Sequence, residues 1–134
     1  MAKKKSQSFK IESSNAKPPL SVKIDDRSTG VSHNAAVSLR YLDSSHECLS
    51  KWQQKELKAF SAWVTKMCKS TEADIRKVTS NCHAHEGKQK ALPSQVSPDV
   101  KMFSLRVTQK ARAHGFFAEG SFYLVWLDRG HKLH

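Results

Sequence analysis

The sequence predicts an α+β domain in which two helices pack on one face of a small, mainly antiparallel sheet, in the order β-α-α-β-β-β. Three observations carry this prediction. Apolar and polar residues alternate in "VSLRYLD", apolar residues recur at three- and four-residue steps in "LSKWQQKELKAFSAWVTKMCK", and strand-like runs follow residue 100. The chain of 134 residues fits one such domain, which we place at residues 35–134.

The first strand is predicted where Val37, Leu39 and Tyr41 alternate with Ser38 and Arg40. The helix that follows, about twenty residues long, has a wide apolar stripe of the kind that packs against a core. The members of the stripe are Leu49, Trp52, Leu57, Phe60, Trp63, Val64 and Met67.

A second, shorter helix is predicted in "STEADIRKV". Thr71 is placed to cap its amino end, and Glu72 and Asp74 lie in its first turn, where the helix dipole favours negative charge. From residue 81 to residue 98 the pattern dissolves into a loop interrupted by glycine and proline.

Three strands are predicted in "KMFSLRVT", "ARAHGFF" and "SFYLVWLD", the last two joined as a hairpin by Ala118-Glu119-Gly120. The run "FYLVWL" is apolar on both faces, which is typical of a central strand. Phe103, Leu105 and Val107 then face the helices, while Ser104, Arg106 and Thr108 lie on the other face. If strand pairing sets Arg112 and His114 beside Arg106, three cationic groups share one open face.

The charge balance favours a polyanionic partner. Lysine and arginine total 23 against 12 acidic residues, so the net charge is +11 with a mean hydropathy of -0.60. Residues 1–34 are interpreted as a basic, flexible tail in which Lys3, Lys4 and Lys5 grip phosphates, although an inert solvated tail fits them equally well.

Composition also indicates a soluble cytoplasmic protein. No apolar run reaches the ~18 residues of a membrane span, and no apolar stretch follows the amino-terminal lysines as in a secretory signal. The three cysteines suit free thiols in a reducing compartment. The sequence "CHAH", with His46 and Cys48 elsewhere, lacks the paired spacing of zinc sites, so we expect no metal and no cofactor.

The order of elements and the carboxyl-terminal pattern resemble the RelE/ParE toxin superfamily over about residues 37–134. The resemblance rests on "FSLRV", "ARAHGF", "FYLVWLD" and "RGHKLH". It implies a RelE-like fold and an mRNA interferase of a toxin–antitoxin or phage-defence system, which cuts RNA without a metal and usually on the ribosome. The implied partners are mRNA and an antitoxin protein.

The residues suit the chemistry of RNA cleavage, which needs a base, an acid and cations for the charged phosphate. Arginine forks fit phosphate oxygens, and histidine exchanges protons near neutral pH. By this resemblance, Arg112 matches the arginine of the family's third sheet strand, and His131 and Lys132 match the family's carboxyl-terminal catalytic region. Ser104 stands where the family usually has lysine, and no tyrosine follows the last strand.

We therefore predict two sets of site residues. The catalytic set is Arg106, Arg112, His114, His131 and Lys132; the nucleic-acid-binding set is Lys3, Lys4, Lys5, Lys110, Arg129 and His134. Two other functions stay open at this point: a non-catalytic nucleic-acid-binding module of a larger complex, and a ParE-like inhibitor of a protein target.

Overall fold

The computed structural model describes residues 33–86 and 90–133. Most of the predicted tail, with Lys3, Lys4 and Lys5, lies outside the described residues, and so does His134. Among the described residues, no helix combines the length and apolar character needed to cross a membrane.

The described residues form the predicted α+β fold, with a five-stranded sheet in the order β1-β5-β4-β3-β2. Strand β1 runs parallel to β5, and the other neighbouring pairs are antiparallel. The strands are β1 (Val37–Ser38), β2 (Cys82–Ala84), β3 (Met102–Arg106), β4 (Arg112–Ala118) and β5 (Ser121–Asp128).

Two strand boundaries differ from the sequence prediction. The first strand keeps only two residues, because the chain turns after Ser38. The hydrogen bond from Asp43 N–H to the Val125 carbonyl, at 2.8 Å, is not part of the strand ladder. Conversely, Cys82–Ala84 forms a strand within the predicted loop, since it pairs with Phe103–Leu105 and covers that edge of β3. A three-residue strand is too short to show a period of two.

The β4–β5 hairpin is confirmed. Its two central residues, Glu119 and Gly120, have φ angles of 54° and 77°. Positive φ at both positions is the geometry of the two-residue turn that matches the twist of paired strands. In the sheet, β5 lies between β1 and β4, in agreement with its apolar character on both faces.

The predicted first helix is divided in two. Leu49–Lys51 forms a 3-10 turn, Trp52 is extended, and α1 spans Gln54–Met67. The amino end of α1 is fixed by the N–H of Gln53, which donates to Glu56 Oε1 at 2.7 Å. The second helix, α2, spans Glu72–Lys77 and is capped as predicted, because Thr71 Oγ1 accepts from Asp74 N–H at 3.2 Å.

The helices cover one face of the sheet. Trp63 and Met67 of α1 pack against Phe103, Leu105 and Phe122, the side of β3 that the alternation predicted. The remaining buried members of this core are Trp52, Cys82, Ala111, Ala113, Leu124 and Leu127.

The opposite face of the sheet is not open, which corrects the sequence prediction. Two irregular segments cover it: Tyr41 packs from the first, and Leu92, Val96 and Val100 pack from the second, around Trp126. As a result His114 is 0 % exposed, Ser104 3 % and Arg112 7 %, whereas Arg106 stays exposed. The covering segments have no regular sequence period of their own, and the alternation of residues in β3 and β4 does not show whether a face is covered by such segments.

Candidate functional site

The strand register brings the predicted basic residues of β3 and β4 together. Arg106 pairs with Arg112, and Ser104 pairs with His114, so all four side chains point to the face opposite the helices. Arg112 and His114 therefore share a face with Arg106, as the sequence prediction required. The burial of Arg112 and His114, however, changes what these side chains can do.

Arg112 closes the turn between β3 and β4. Its Nη1 donates to the carbonyls of Thr108, Gln109 and Ala111 at 3.0 to 3.1 Å. Burial lowers the pKa of this guanidinium, the charge of Arg106 lowers it further, and Asp128 acts in the opposite direction. The side chain is thus engaged with the backbone of its own hairpin, a structural role that the pattern "ARAHGF" does not reveal.

His114 belongs to a network of three histidines and one aspartate. Its Nε2 lies 3.0 Å from Asp128 Oδ2, and its Nδ1 lies 2.8 Å from His85 Nε2. The other carboxylate oxygen of Asp128, Oδ1, lies 3.3 Å from Nε2 of His46. The network therefore runs from His85 through the buried centre of the sheet to His46, whose side chain is 23 % exposed.

Asp128 is the acceptor at the centre of this network. It is fully buried, yet it accepts hydrogen bonds from the backbone N–H of Lys132 at 3.0 Å and of Leu133 at 2.8 Å. Burial raises the pKa of this carboxyl, but the hydrogen bonds from His114, Leu133 and Lys132 outweigh burial and hold the pKa far below its usual range. Asp128 is therefore a carboxylate that anchors the carboxyl-terminal tip to the sheet.

The tip carries three of the predicted site residues. His131, with a φ of 55°, and Lys132 are exposed. Arg129 is held by two acids: its Nε donates to both Glu56 oxygens at 2.8 and 2.9 Å, and its backbone N–H donates to Glu47. The tip and the amino end of α1 are therefore joined by ion pairing.

A cleft opens between the tip, the 3-10 turn and the β3–β4 turn. It encloses about 490 Å³ and is lined by His46, Glu47, Lys51, Glu56, Lys110, Asp128, Arg129, Gly130 and Lys132. Four basic residues against three acidic ones leave a net charge of +1 with His46 neutral. Glu56 is paired with Arg129, Asp128 is buried and Glu47 is half-buried, so Lys51, Lys110 and Lys132 are the exposed charges of this cleft.

Of the predicted site residues, the cleft brings together Lys110, Arg129 and Lys132, and it leaves out Arg106, Arg112, His114 and His131. Sequence reasoning missed His46 and Asp128 as partners in one site. Asp128 could have been recognised as an acid at the end of the apolar run "FYLVWLD", where a buried carboxylate requires hydrogen-bond donors. Nothing in the loop sequence "SSHECL" points to His46 as a neighbour of Asp128.

Three groups of this cleft are close enough to hold a metal ion. Ligand atoms of His46, Glu47 and Asp128 lie within 4.8 Å of one another. Their oxygens are already acceptors, however: Glu47 takes the indole N–H of Trp52 and the backbone N–H of Arg129, and Asp128 has the donors described above. With lysines also lining the cleft, the group fits hydrogen-bond donors better than a divalent cation.

Fold and site define a small basic α+β protein with a buried histidine–aspartate network at the floor of a lysine-lined cleft. No protein-family model, curated protein or solved structure matches the chain. The RelE/ParE resemblance accordingly stays a prediction.

Proposed function

We propose that the protein is a toxin-like endoribonuclease that cleaves RNA by metal-independent transesterification in the cleft at the end of β5. One observation carries the proposal: His46, partly exposed, lies 3.3 Å from the buried carboxylate of Asp128 in a cleft that also presents Lys51, Lys110 and Lys132. A base oriented by a carboxylate, next to cations, is what attack of a ribose hydroxyl on phosphorus requires.

The proposed roles follow from the contact between His46 and Asp128 and from the neighbouring lysines. With its Nε2 proton directed at Asp128, His46 carries its lone pair on Nδ1, which takes the proton of the 2′-hydroxyl. The 2′-oxygen then bonds to phosphorus and the bond to the 5′-oxygen breaks, leaving a 2′,3′-cyclic phosphate. The lysines neutralise the charge that builds up on the phosphate oxygens, and the ammonium of Lys132 gives a proton to the departing 5′-oxygen.

This proposal redistributes the roles predicted from the sequence. His114 and Asp128 orient His46, while Arg112 holds the adjoining turn in place. Arg106, which is exposed outside the cleft, and His131 on the tip are assigned to contacts with the RNA backbone beyond the scissile phosphate. The proposed setting is the cytoplasm, with mRNA, on or off the ribosome, as substrate and an antitoxin protein as partner.

A second candidate function is non-catalytic binding of RNA. It is favoured by the burial of Arg112 and His114, since these groups are engaged with protein atoms and are not directed at a substrate. A ParE-like inhibitor of a protein target is the third candidate, and it predicts neither cleavage nor salt-sensitive RNA binding.

Cleavage of a labelled mRNA in EDTA, with and without ribosomes, separates the three candidates. We expect the wild-type protein to produce ends with a 2′,3′-cyclic phosphate, and His46→Gln to lower the rate by at least about 100-fold, the usual contribution of a general base. The matched control is His83→Gln, which changes an exposed histidine on β2 outside the cleft and should leave the rate unchanged.

Two results would count against the catalytic assignment. Full activity of His46→Gln would remove His46 from the mechanism, and an activity that EDTA abolishes would show that a metal is required. RNA binding without cleavage, with or without ribosomes, would establish the second candidate.

Salt dependence provides a separate test of the lysines. Replacing Lys51 or Lys110 by alanine should weaken RNA binding and reduce the slope of log K against log salt by about 0.7 for each phosphate that the variant no longer neutralises. Lys77→Ala on α2 removes the same charge outside the cleft and should leave the slope as in the wild type. Equal slopes for all three variants would mean that the cleft does not contact phosphates.

A further inference from the structure

Helix α1 carries a row of exposed lysines that begins near the cleft. Lys55, Lys58 and Lys66 lie within about 80° of arc on the helix and span about 17 Å along its axis. All three are exposed. Lys51, which lines the cleft, precedes them, and Lys69 follows beyond the carboxyl end of the helix. We call Lys55, Lys58 and Lys66 the lysine row.

The lysine row lies apart from the buried face of α1. Trp63 and Met67 form that face and pack against the sheet. Between the second and third lysines of the row, the helix positions on the same side are Ala62 and Thr65, and both are exposed. Because these side chains are small, an extended molecule has access to all three ammonium groups at once.

Ion pairs do not compensate the charge of the lysine row. None of its ammonium groups forms an ion pair within the part of the chain that the structure describes. The one acidic residue of α1, Glu56, is bound by Arg129 through both carboxylate oxygens. Asp74 of α2 lines the same depression as Lys66, but its carboxylate lies 3.8 Å from Nζ of Lys77. The lysine row is therefore a surface of like charge that complements a polyanion.

An RNA backbone suits this surface better than an anionic membrane or an acidic protein. A helix that lies on a membrane inserts its apolar face into lipid, but Trp63 and Met67 are already buried against the sheet. A stable protein interface has an apolar, fully buried centre, whereas the lysine row has only alanine and threonine between its charges. Contacts to phosphates depend on charge spaced along an extended backbone and need no apolar surface.

We propose that the lysine row binds the backbone of the substrate RNA on one side of the phosphate that is cleaved. Helix α1 begins at the cleft, since Glu56 in its first turn lines the cleft. A strand that leaves the cleft past Lys51 therefore meets the lysine row at Lys55. This inference rests on the proposed function, because the cleft must hold the scissile phosphate. The row favours strands that extend beyond the cleft over short fragments, and it reads no base sequence.

Two labelled RNA strands of different length test the lysine row in the full chain. One has about 4 nucleotides and occupies the cleft alone, and the other has about 16, the range that small single-strand-binding domains cover. Both carry 2′-methoxy groups, which remove the attacking hydroxyl, so binding is measured without cleavage. The row variant combines Lys58→Ala with Lys66→Ala. For the long strand it should reduce the slope of log K against log salt by about 1.4, which is 0.7 for each lost phosphate contact. The slope for the short strand should stay as in the wild type.

The matched control combines Lys77→Ala with Lys101→Ala. It removes the same charge from exposed positions outside the lysine row and the cleft, so both slopes should match the wild type. Both double variants should melt near the temperature of the wild type, because the replaced side chains are exposed. With unmodified RNA, the row variant should raise KM for the long strand and leave kcat unchanged, since the row does not touch the reacting atoms.

Four results would overturn the inference. They are an unchanged slope for the row variant with the long strand, an equal reduction with the short strand, an equal reduction for the control variant, and an effect that appears only with ribosomes, which would assign the row to ribosomal RNA. Weaker binding of the row variant to phosphatidylserine vesicles, with RNA binding unchanged, would assign the row to a membrane surface instead. If the wild type binds RNA but cleaves none, the slopes still decide the role of the lysine row, so failure of this inference and failure of the proposed function are distinguishable.

Discussion

Asp128→Asn should destabilise the protein by about 3 kcal/mol, the lower end of the cost of breaking a buried charged pair. Asparagine has nearly the same shape, but it is neutral and presents an NH₂ group to partners that are themselves donors. The N–H groups of Lys132 and Leu133, and Nε2 of His114, would then compete for a single carbonyl oxygen. Urea denaturation at pH 7 measures the loss.

The stability difference between wild type and Asp128→Asn should depend on pH. The pKa of Asp128 is lowered on folding from an ordinary value of 3.8, so its contribution is fully present above that value and is lost as the pH falls into the acid range. The groups that face Asp128 are His114, His46 and Arg112. We therefore expect the difference to be largest above pH ~5 and to shrink as the pH falls below about 4.

Asp99→Asn is the matched control for this substitution. Asp99 is exposed, and its hydrogen bond to Ser97 Oγ is donated by the backbone N–H, which the substitution leaves in place. We therefore expect Asp99→Asn to change the free energy of unfolding by no more than about 0.5 kcal/mol. A loss below about 1 kcal/mol for Asp128→Asn, or a difference that does not vary between about pH 7 and pH 3, would show that the carboxylate is not the anchor of the tip.

The same residue links stability to the proposed activity. Because Asp128 holds both His46 and the backbone of the tip, Asp128→Asn should impair orientation of the base and placement of Lys132 together. The loss of cleavage should therefore approach that of His46→Gln, although Asp128 itself does not touch the substrate. A variant that unfolds is distinguished from this outcome by its urea transition.

The helix-covered half of the molecule was predictable because its signals are local. The apolar stripe of α1, the Thr71 cap and the turn at Glu119 and Gly120 each depend on residues a few positions apart. In β3, alternation was enough to assign Phe103 and Leu105 to the helix-covered face. Tertiary packing merely selected conformations that the local sequence already favoured.

The candidate site could not be predicted in the same way, because it is assembled from distant and irregular segments. His46 and Asp128 are 82 residues apart, and His85 and His114 are 29 apart. The segments that cover the second face carry no periodic pattern, so Arg112 and His114 were predicted to be exposed strand charges when they are buried. Side-chain hydrogen bonds between loops and strands leave no spacing in the sequence to recognise.

Gly115→Ala should be among the most destabilising single substitutions in the sheet, at about 3 kcal/mol, the upper end of the usual cost of overpacking. A Cβ at this position would overlap the backbone carbonyl oxygen of Tyr123 and lie 2.7 Å from Cζ of Phe122. Backbone atoms of a paired central strand cannot move aside as a flexible side chain does. The register of β4 on β5 shifts between His114 and Gly115, so the close approach of the strands here is part of how the ladder is built.

Gly130→Ala is the matched control, since both substitutions add one methyl group. At Gly130 the nearest atoms belong to the flexible side chain of Lys132, at 3.1 to 3.6 Å, and a small rotation of that chain makes room. We expect Gly130→Ala to change the free energy of unfolding by about 0.5 kcal/mol or less, and Gly115→Ala to lower the melting temperature by more than about 10 °C. Equal melting temperatures for the two variants would mean that β4 and β5 are not packed this closely at Gly115.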